Sequence, residues 1–251
     1  MDSTLNKFGL SKAKLTVTVL CCLFALISMV IVYRNNGEAF DYFYCLATIP
    51  FVCLPTLLSL LFKWKLNLGF YIVFSLYALG PLLGAVYMLY YVTWWWDDLL
   101  HTLAGVLFAV FGAHIAVVLN RNNKTSYLLA ALFGLFFTMG IAVFWEFFEY
   151  SADVLLGSDM QADTIVHYLA TKVGRTDGGL TVFDGIQDVI INGNPLGLGG
   201  YLDIGLIDTV NDMAVETAGG ILYLIYAVID RDRHPLILSA KRNQTAENAT
   251  L

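Results

Sequence analysis

The sequence predicts an all-α, polytopic membrane helix bundle of about six transmembrane helices, with the N-terminus and the C-terminus in the cytoplasm. Hydrophobic residues make up 58% of the 251 residues and charged residues only 14%, whereas a soluble domain carries about 25% charged residues. Mean hydropathy is +0.69. Apolar runs of about 20 residues recur along the chain, long enough to cross a hydrocarbon core of roughly 30 Å. We therefore expect a single membrane domain over 1–251, in contact with the lipid bilayer.

The six predicted spans lie near 15–33, 40–62, 69–92, 99–119, 126–148 and 206–229. The first span follows Lys7, Lys12 and Lys14 and so looks like a signal peptide at its start. Its apolar run is longer than a usual signal core and no small-x-small cleavage motif follows it. We interpret it as a retained first span.

The first three spans, within 15–94, are expected to form a scaffold. Pro50, Pro55 and the Gly80-Pro81 pair should kink or loosen their helices, which is tolerated where neighbouring helices recover the freed carbonyl groups. The tryptophans at 94–96, together with Trp145, are interpreted as an aromatic belt at a membrane interface. Spans four to six, within 95–229, carry the polar residues and several small ones, which allow close helix approach.

The distribution of charge predicts the orientation. With the N-terminus inside, 11 of the 14 Lys and Arg residues face the cytoplasm, in the two inner loops, near the N-terminus and in a cytoplasmic tail over 230–251. This agrees with the positive-inside rule. In the same topology 16 of the 20 acidic residues lie outside the membrane or in the outer halves of the helices. An acidic outer surface would gather cations and repel anions, and no nucleic-acid partner is predicted.

The segment 150–205 is polar and glycine-rich and is predicted to be an extracytoplasmic loop insertion. Asp177-Gly178-Gly179 and Asn192-Gly193-Asn194-Pro195 are turn signals within it. An amphipathic helix is predicted near 160–173. Its apolar side would carry Ile165, Val166, Leu169 and Val173. Because loops of this length are often functional, a lid or substrate-access element and a merely decorative insertion both remain open.

Three short polar motifs stand at the ends of apolar spans. They read Asp98-x-x-His101, Glu146-x-x-Glu149 and Asp208-x-x-x-Asp212. Spacings of three and four residues place the members of each motif on one helix face, and Glu216 continues the stripe of the third motif. The predicted topology brings all three motifs to the outer side of the membrane. Ionisable groups in such segments usually face a cavity, the bundle interior or each other.

So many carboxylates beside one imidazole cannot all stay ionised in a medium of low dielectric constant. Either bound cations neutralise them or protons are shared among them. Carboxylate with imidazole suits zinc, iron or manganese, and oxygen-only subsets suit magnesium or calcium. The predicted metal ligands are Asp98, His101, Glu146, Glu149, Asp208 and Asp212, with Asp97 as a substitute for Asp98. Glu149 and Asp212 are predicted to be catalytic, each as a base towards water. Glu216 is predicted to be a proton relay.

A simpler interpretation is that these acids face water at helix ends. Asp98 and Asp208 near helix N-termini would then interact favourably with the helix dipole. Glu146 and Glu149 fit this interpretation less well, because acids near a helix C-terminus oppose the dipole.

At these motifs the chain resembles the YjdF-like family of uncharacterised bacterial multi-pass inner-membrane proteins, a domain of unknown function. The matching segments read DDLLHTLAGVLFA, WEFFEYSAD and GLIDTVNDMAVETAGG. The resemblance covers roughly 95–225 and implies a bacterial plasma-membrane location. The resemblance implies that the six predicted ligands, together with Met213, are positions of the family's motifs. The chain is more loosely similar to the VanZ-like family, in which Lys stands at the position of Leu99, Gln at Glu149 and Asn at Asp212. Neither family implies a reaction.

Three functions remain open from the sequence. The first is a metal-dependent hydrolase or transferase acting at the outer face on a lipid-linked or envelope precursor. The second is a cation- or proton-coupled transporter that uses the same acids with Glu216 as a relay. The third is a non-catalytic envelope accessory protein in which the acidic cluster only holds helices together. The stretch after Glu216, TAGGILYLIYAVI, is nearly free of polar groups and slightly disfavours transport.

Overall fold

Each predicted span contains a long helix in the computed structural model, which describes residues 9–62, 66–120 and 126–229. The helices within these residues are α1 (Lys12–Arg34), α2 (Ala39–Phe62), α3 (Leu68–Ala85), α4 (Leu89–Val92), α5 (Trp96–Leu119), α6 (Tyr127–Leu156) and α7 (Leu206–Ile229). All except α4 are long and apolar enough to cross a membrane. The prediction of an all-α polytopic membrane protein is therefore confirmed. The predicted basic loops, which contain Lys63, Lys65, Arg121 and Lys124, and the predicted cytoplasmic tail 230–251 lie outside the described residues.

Two helix starts follow from local capping chemistry. The side chain of Ser11 accepts the backbone N–H of Lys14 at 3.3 Å, and Asn67 Oδ1 accepts that of Phe70 at 2.7 Å. Ser and Asn are favoured at this position because their side chains satisfy N–H groups that have no partner within the helix. These caps set the starts of α1 and α3.

Two helix ends differ from the prediction. The third span ends at Ala85 rather than 92, because Met88 adopts a left-handed conformation with φ of 66° and a separate short helix follows it. The fifth span runs to Leu156, beyond the predicted end at 148. Gly157, with φ of +67°, follows its last residue, and a left-handed glycine is a common helix terminator. The non-helical insertion therefore begins at 157.

The chain divides into two compact units. Among the described residues, the first unit contains those up to 141 and those from 215 onward, and the second unit contains 142–214. Helices α6 and α7 contribute residues to both units.

The core of the first unit is aromatic and apolar. Phe111 on α5 packs edge-on against Phe70 and Phe74 on α3, with ring centroids 5.1 and 5.8 Å apart. Phe108, on the same helix, meets Tyr77 in a similar edge-on contact. Edge-to-face rings at these distances add stability beyond the apolar area that they bury. The scaffold helix α3 is thus fixed against α5, which carries the first polar motif.

Glycine allows two helices of the first unit to touch backbone to backbone. A Cβ atom at Gly105 of α5 would lie 2.0 Å from the carbonyl oxygen of Glu216 on α7, and one at Gly219 would lie 2.2 Å from that of Thr102. Only residues without a side chain fit this approach, as in other small-residue helix contacts in membranes. The contact sets the position of Glu216 relative to α5.

The second unit carries three short antiparallel strand pairs within the insertion. The pairs are β1 (Ile165–Val166) with β6 (Tyr201–Leu202), β2 (Tyr168–Thr171) with β3 (Thr181–Asp184), and β4 (Ile190–Ile191) with β5 (Asn194–Pro195). Asn192 and Gly193 form the two-residue turn between β4 and β5, both with positive φ, as a type I′ hairpin turn requires. The predicted turn signal at this point marks the turn that forms.

The predicted helix over 160–173 is wrong. Its apolar residues lie in β1 and β2, and Val173 is exposed in the loop that follows β2. The segment is rich in β-branched and aromatic residues, which favour strands, and the glycine-rich chain that follows folds back to supply strand partners. Those strand partners are remote in the sequence. The helical spacing of the apolar residues, taken alone, therefore gave the wrong secondary structure.

Candidate functional site

Three carboxylates meet within the second unit. Glu146 and Glu149 lie near the end of α6, and Asp212 lies in the second turn of α7. One oxygen of each can be chosen so that all three atoms lie within 4.8 Å of one another. The residues are buried, with 6%, 6% and 1% of their surface exposed. We call Glu146, Glu149 and Asp212 the carboxylate triad.

Helix geometry explains how the triad forms. Glu146 and Glu149 are three residues apart, so α6 presents both on one face. Asp208 in the first turn of α7 lies one helical turn before Asp212, and its Oδ2 accepts the backbone N–H of Ala162 at 2.9 Å. The start of α7 is thereby tied to the insertion.

Two donors outside the triad bind its oxygen atoms. The indole Nε1 of Trp145 donates to Glu149 Oε1 at 2.8 Å. The side-chain amide of Gln161 donates to Glu146 Oε2 at 3.5 Å. Donors of this kind orient carboxylate ligands in metal sites.

Electrostatic repulsion among the three carboxylates determines whether the triad needs a bound cation or protons. Two ionised groups 4.8 Å apart repel each other by roughly 3.5 kcal/mol at an effective dielectric constant of about 20. Three such pairs of repelling charges are not stable in a buried position unless a cation or protons reduce the charge. The basic residues of the second unit are Lys172 and Arg175, both in the loop that connects β2 and β3, and Arg175 binds Asp177.

A second polar cluster lies in the first unit. The ring of His101 stands between two acids, with Nε2 at 3.8 Å from Asp97 Oδ1 and Nδ1 at 3.9 Å from Glu216 Oε2. The other oxygen of Glu216 accepts a hydrogen bond from the hydroxyl of Thr138 at 2.9 Å. Glu216 is 2% exposed, and Thr138 is fully buried. These four residues form a continuous row of polar groups, which we call the histidine row.

The structure thus distributes the predicted site residues between its two units. Glu146, Glu149 and Asp212 come together in the triad. His101 and Glu216 belong to the histidine row, in which the substitute Asp97 supplies the acid beside the imidazole. Asp98 is half-buried in the first turn of α5. The roles of Asp98, His101 and Asp208 as metal ligands stay predictions.

Three polar partners were missed from the sequence. Trp145 was interpreted as part of an aromatic belt, although its spacing of four residues from Glu149 could have indicated a hydrogen bond along one helix face. Thr138 and Gln161 carried no local signal, because their partners Glu216 and Glu146 are far away in the sequence.

Acidic side chains of the insertion have pKa values set by their surroundings. Burial, with the nearby charges of Asp163 and Asp153, raises the pKa of Asp159 above its ordinary value. Burial alone would also raise the pKa of Asp203, but backbone N–H groups, including those of Thr164 and Ile207, outweigh it and hold that pKa below its ordinary value. Asp203 is therefore a charged anchor at neutral pH.

Comparison with known proteins gives one family. The family model described as "Predicted membrane protein (DUF2238)" matches residues 15–233. The match confirms the YjdF-like resemblance and extends it to the first three spans. No curated protein and no solved structure matches the chain.

Proposed function

The chain belongs to the DUF2238 family of predicted membrane proteins, and we propose that it is a membrane-embedded metalloprotein whose carboxylate triad binds one divalent cation. The observation that carries this proposal is the convergence of three buried carboxylates within 4.8 Å. A divalent cation removes the repulsion that the triad would otherwise suffer. Because the three ligands are all oxygen donors, magnesium or manganese suits them best.

Three protein ligands do not fill the coordination sphere of such an ion. Magnesium and manganese prefer six ligands, and sites that keep several open positions commonly bind phosphate oxygens of a substrate. The ion would supply charge stabilisation to those oxygens. We therefore propose a metal-dependent hydrolase or transferase acting on a lipid-linked or envelope precursor. The charge pattern of the sequence supports a site at the outer face of the membrane, and the family resemblance supports a bacterial plasma membrane.

Metal analysis of the purified full-length protein tests the proposal. Wild-type protein loaded with Mn²⁺ and freed of excess ion should retain about one ion per chain, and a Glu146→Gln/Glu149→Gln variant should retain far less. Asp188→Asn, which changes an exposed acid of the insertion, is the matched control and should bind as the wild type does. Equal retention by the double variant, or no retention by the wild type, would contradict the proposal.

A second candidate function rests on the histidine row. An imidazole between two carboxylates can accept a proton at one ring nitrogen and release one at the other, as a proton-coupled transporter would require of Asp97, His101 and Glu216. Proteoliposomes with a pH-sensitive dye inside should then show proton uptake under an imposed membrane potential. Glu216→Gln keeps an acceptor for Thr138 and should abolish this uptake. Uptake no faster than in empty liposomes would exclude the function.

A further inference from the structure

The segment 158–164, which we call the strap, links the end of α6 to β1 and is held by carboxylates. Four of its backbone N–H groups donate to Asp side chains at 2.7 to 2.9 Å. These bonds run from Met160 and Gln161 to Asp153, from Ala162 to Asp208, and from Thr164 to Asp203. Asp153 lies on α6, Asp208 lies on α7, and Asp203 lies three residues before the start of α7. Hydrogen bonds to ionised acceptors are roughly twice as strong as neutral ones, so the strap has a defined position.

Gln161 is the strap residue whose side chain reaches the carboxylate triad. Its amide nitrogen carries two protons and has two acceptors. One is the hydroxyl oxygen of Thr209 at 2.5 Å, and the other is Glu146 Oε2 at 3.5 Å. Thr209 lies on α7, three residues before Asp212. The amide therefore connects the helix that carries Glu146 with the helix that carries Asp212.

The backbone beneath Gln161 is also closely fitted. A Cβ atom at Gly205 would lie 2.7 Å from Gln161 Cβ and 3.0 Å from its carbonyl oxygen, and Gly205 has φ of +81°. Glycine is thus required there both for its conformation and for the space that it leaves. The close fit of Gly205 against Gln161 is therefore independent of the hydrogen bonds that the Gln161 side chain makes.

We propose that Gln161 is a positioning residue for the carboxylate triad, which orients Glu146 and limits the charge of the site to that of three carboxylates. This inference rests on the proposed metal-binding function. Outer hydrogen bonds to metal ligands commonly change affinity by 10-fold to 100-fold. The number of charged ligands also tunes affinity for hard cations. A neutral amide at position 161 therefore influences both how tightly the ion is bound and which ion is preferred.

Two substitutions test the two parts of this proposal in full-length protein, with Mn²⁺ and Zn²⁺ as the probes. Gln161→Met has a similar length but no amide, and we expect Mn²⁺ to bind about tenfold more weakly. Gln161→Glu adds a fourth carboxylate, and we expect the ratio of the Zn²⁺ to the Mn²⁺ dissociation constant to rise several-fold. Gln187→Met is the matched control, because Gln187 is exposed in the same insertion, and it should leave both constants unchanged.

The outcomes separate this proposal from the one on which it rests. If the wild type binds Mn²⁺ through the triad but Gln161→Met binds it equally well, the positioning role is wrong and the metal site stands. If the wild type binds no Mn²⁺, both proposals are wrong. The unfolding temperature of the metal-free proteins shows whether Gln161→Met has lost its fold. In that case the Gln161→Glu ratio decides, and an unchanged ratio would overturn the proposal.

Discussion

Asp212 and Glu216 are four positions apart on α7, yet the two units surround these carboxylates with different chemistry. In the first unit, Glu216 accepts a hydrogen bond from the Thr138 hydroxyl and faces the ring of His101. In the second unit, Asp212 meets two further carboxylates. Neutral or cationic donors stabilise a buried acid, whereas other acids destabilise it unless a bound cation or shared protons reduce the charge. Burial of an acid therefore does not define a function, because its neighbours decide whether a further ligand is needed.

The largest expected effect concerns the packing that brings Glu216 to His101. Gly105→Ala should lower the free energy of unfolding by about 3 kcal/mol or more, because the new methyl group would meet the backbone of α7 and not a movable side chain. The measurement is the yield and apparent unfolding temperature of the detergent-purified protein. Gly140→Ala on α6 is the control. Nothing lies within 4 Å of a Cβ atom there, so we expect no loss and a gain of up to about 1 kcal/mol from helix propensity.

The second prediction separates the two carboxylate environments directly. Mn²⁺ at 100 times its dissociation constant should stabilise the folded wild type by about 2.7 kcal/mol. The Glu149→Gln variant should lose most of this stabilisation, because it removes a triad ligand. Glu216→Gln should keep it if the histidine row is a separate structural or proton-handling cluster. Thermal unfolding with and without Mn²⁺ measures this stabilisation in each variant. An equal loss of Mn²⁺ stabilisation in the two variants would contradict this division of roles.

These two regions also show how far the sequence determines the structure. The six long helices were predictable because membrane spans are encoded by local apolar runs, and the motif spacings correctly placed Glu146 beside Glu149 on one face. The strands at 165–171 were not, because their partners at 181–184 and 201–202 are brought in by turns. For the same reason nothing local indicated that Gln161 would reach Glu146 or that Thr138 would reach Glu216.

The third prediction concerns the hydroxyl group that binds Glu216. Thr138→Val keeps the shape of the side chain but removes the donor, which should cost about 1–3 kcal/mol because a buried carboxylate oxygen loses its hydrogen bond. Chemical or thermal unfolding in detergent measures the loss. Thr48→Val is the control, since the buried Thr48 hydroxyl donates to the carbonyl oxygen of Tyr44 on its own helix. A loss as large in the control would show that the effect is general to buried threonines.

The fourth prediction tests the anchoring of the strap through its pH dependence. The folded pKa of Asp203 lies below its ordinary value, so its stabilising contribution is complete above the unfolded pKa of about 3.9 and is lost as pH falls through the folded pKa. At pH 7, Asp203→Asn should lower the free energy of unfolding by about 1 kcal/mol through weaker bonds to Thr164 and Ile207. The difference from wild type should shrink as pH is lowered towards 3. A difference from wild type that stays the same between pH 7 and pH 3 would contradict the prediction.

The smallest effect is expected in the loop between β2 and β3, where charge is abundant but solvent surrounds it. Arg175 holds the pKa of Asp177 at about 2 through a two-pronged hydrogen bond. An exposed ion pair of this kind contributes little to stability, because water and salt screen the attraction between its charges. Arg175→Gln should therefore change the unfolding temperature by no more than about 1–2 °C and leave the Mn²⁺ dissociation constant unchanged. A large change in Mn²⁺ binding would mean that this arginine helps to balance the triad, and the need for a metal cation there would be correspondingly smaller.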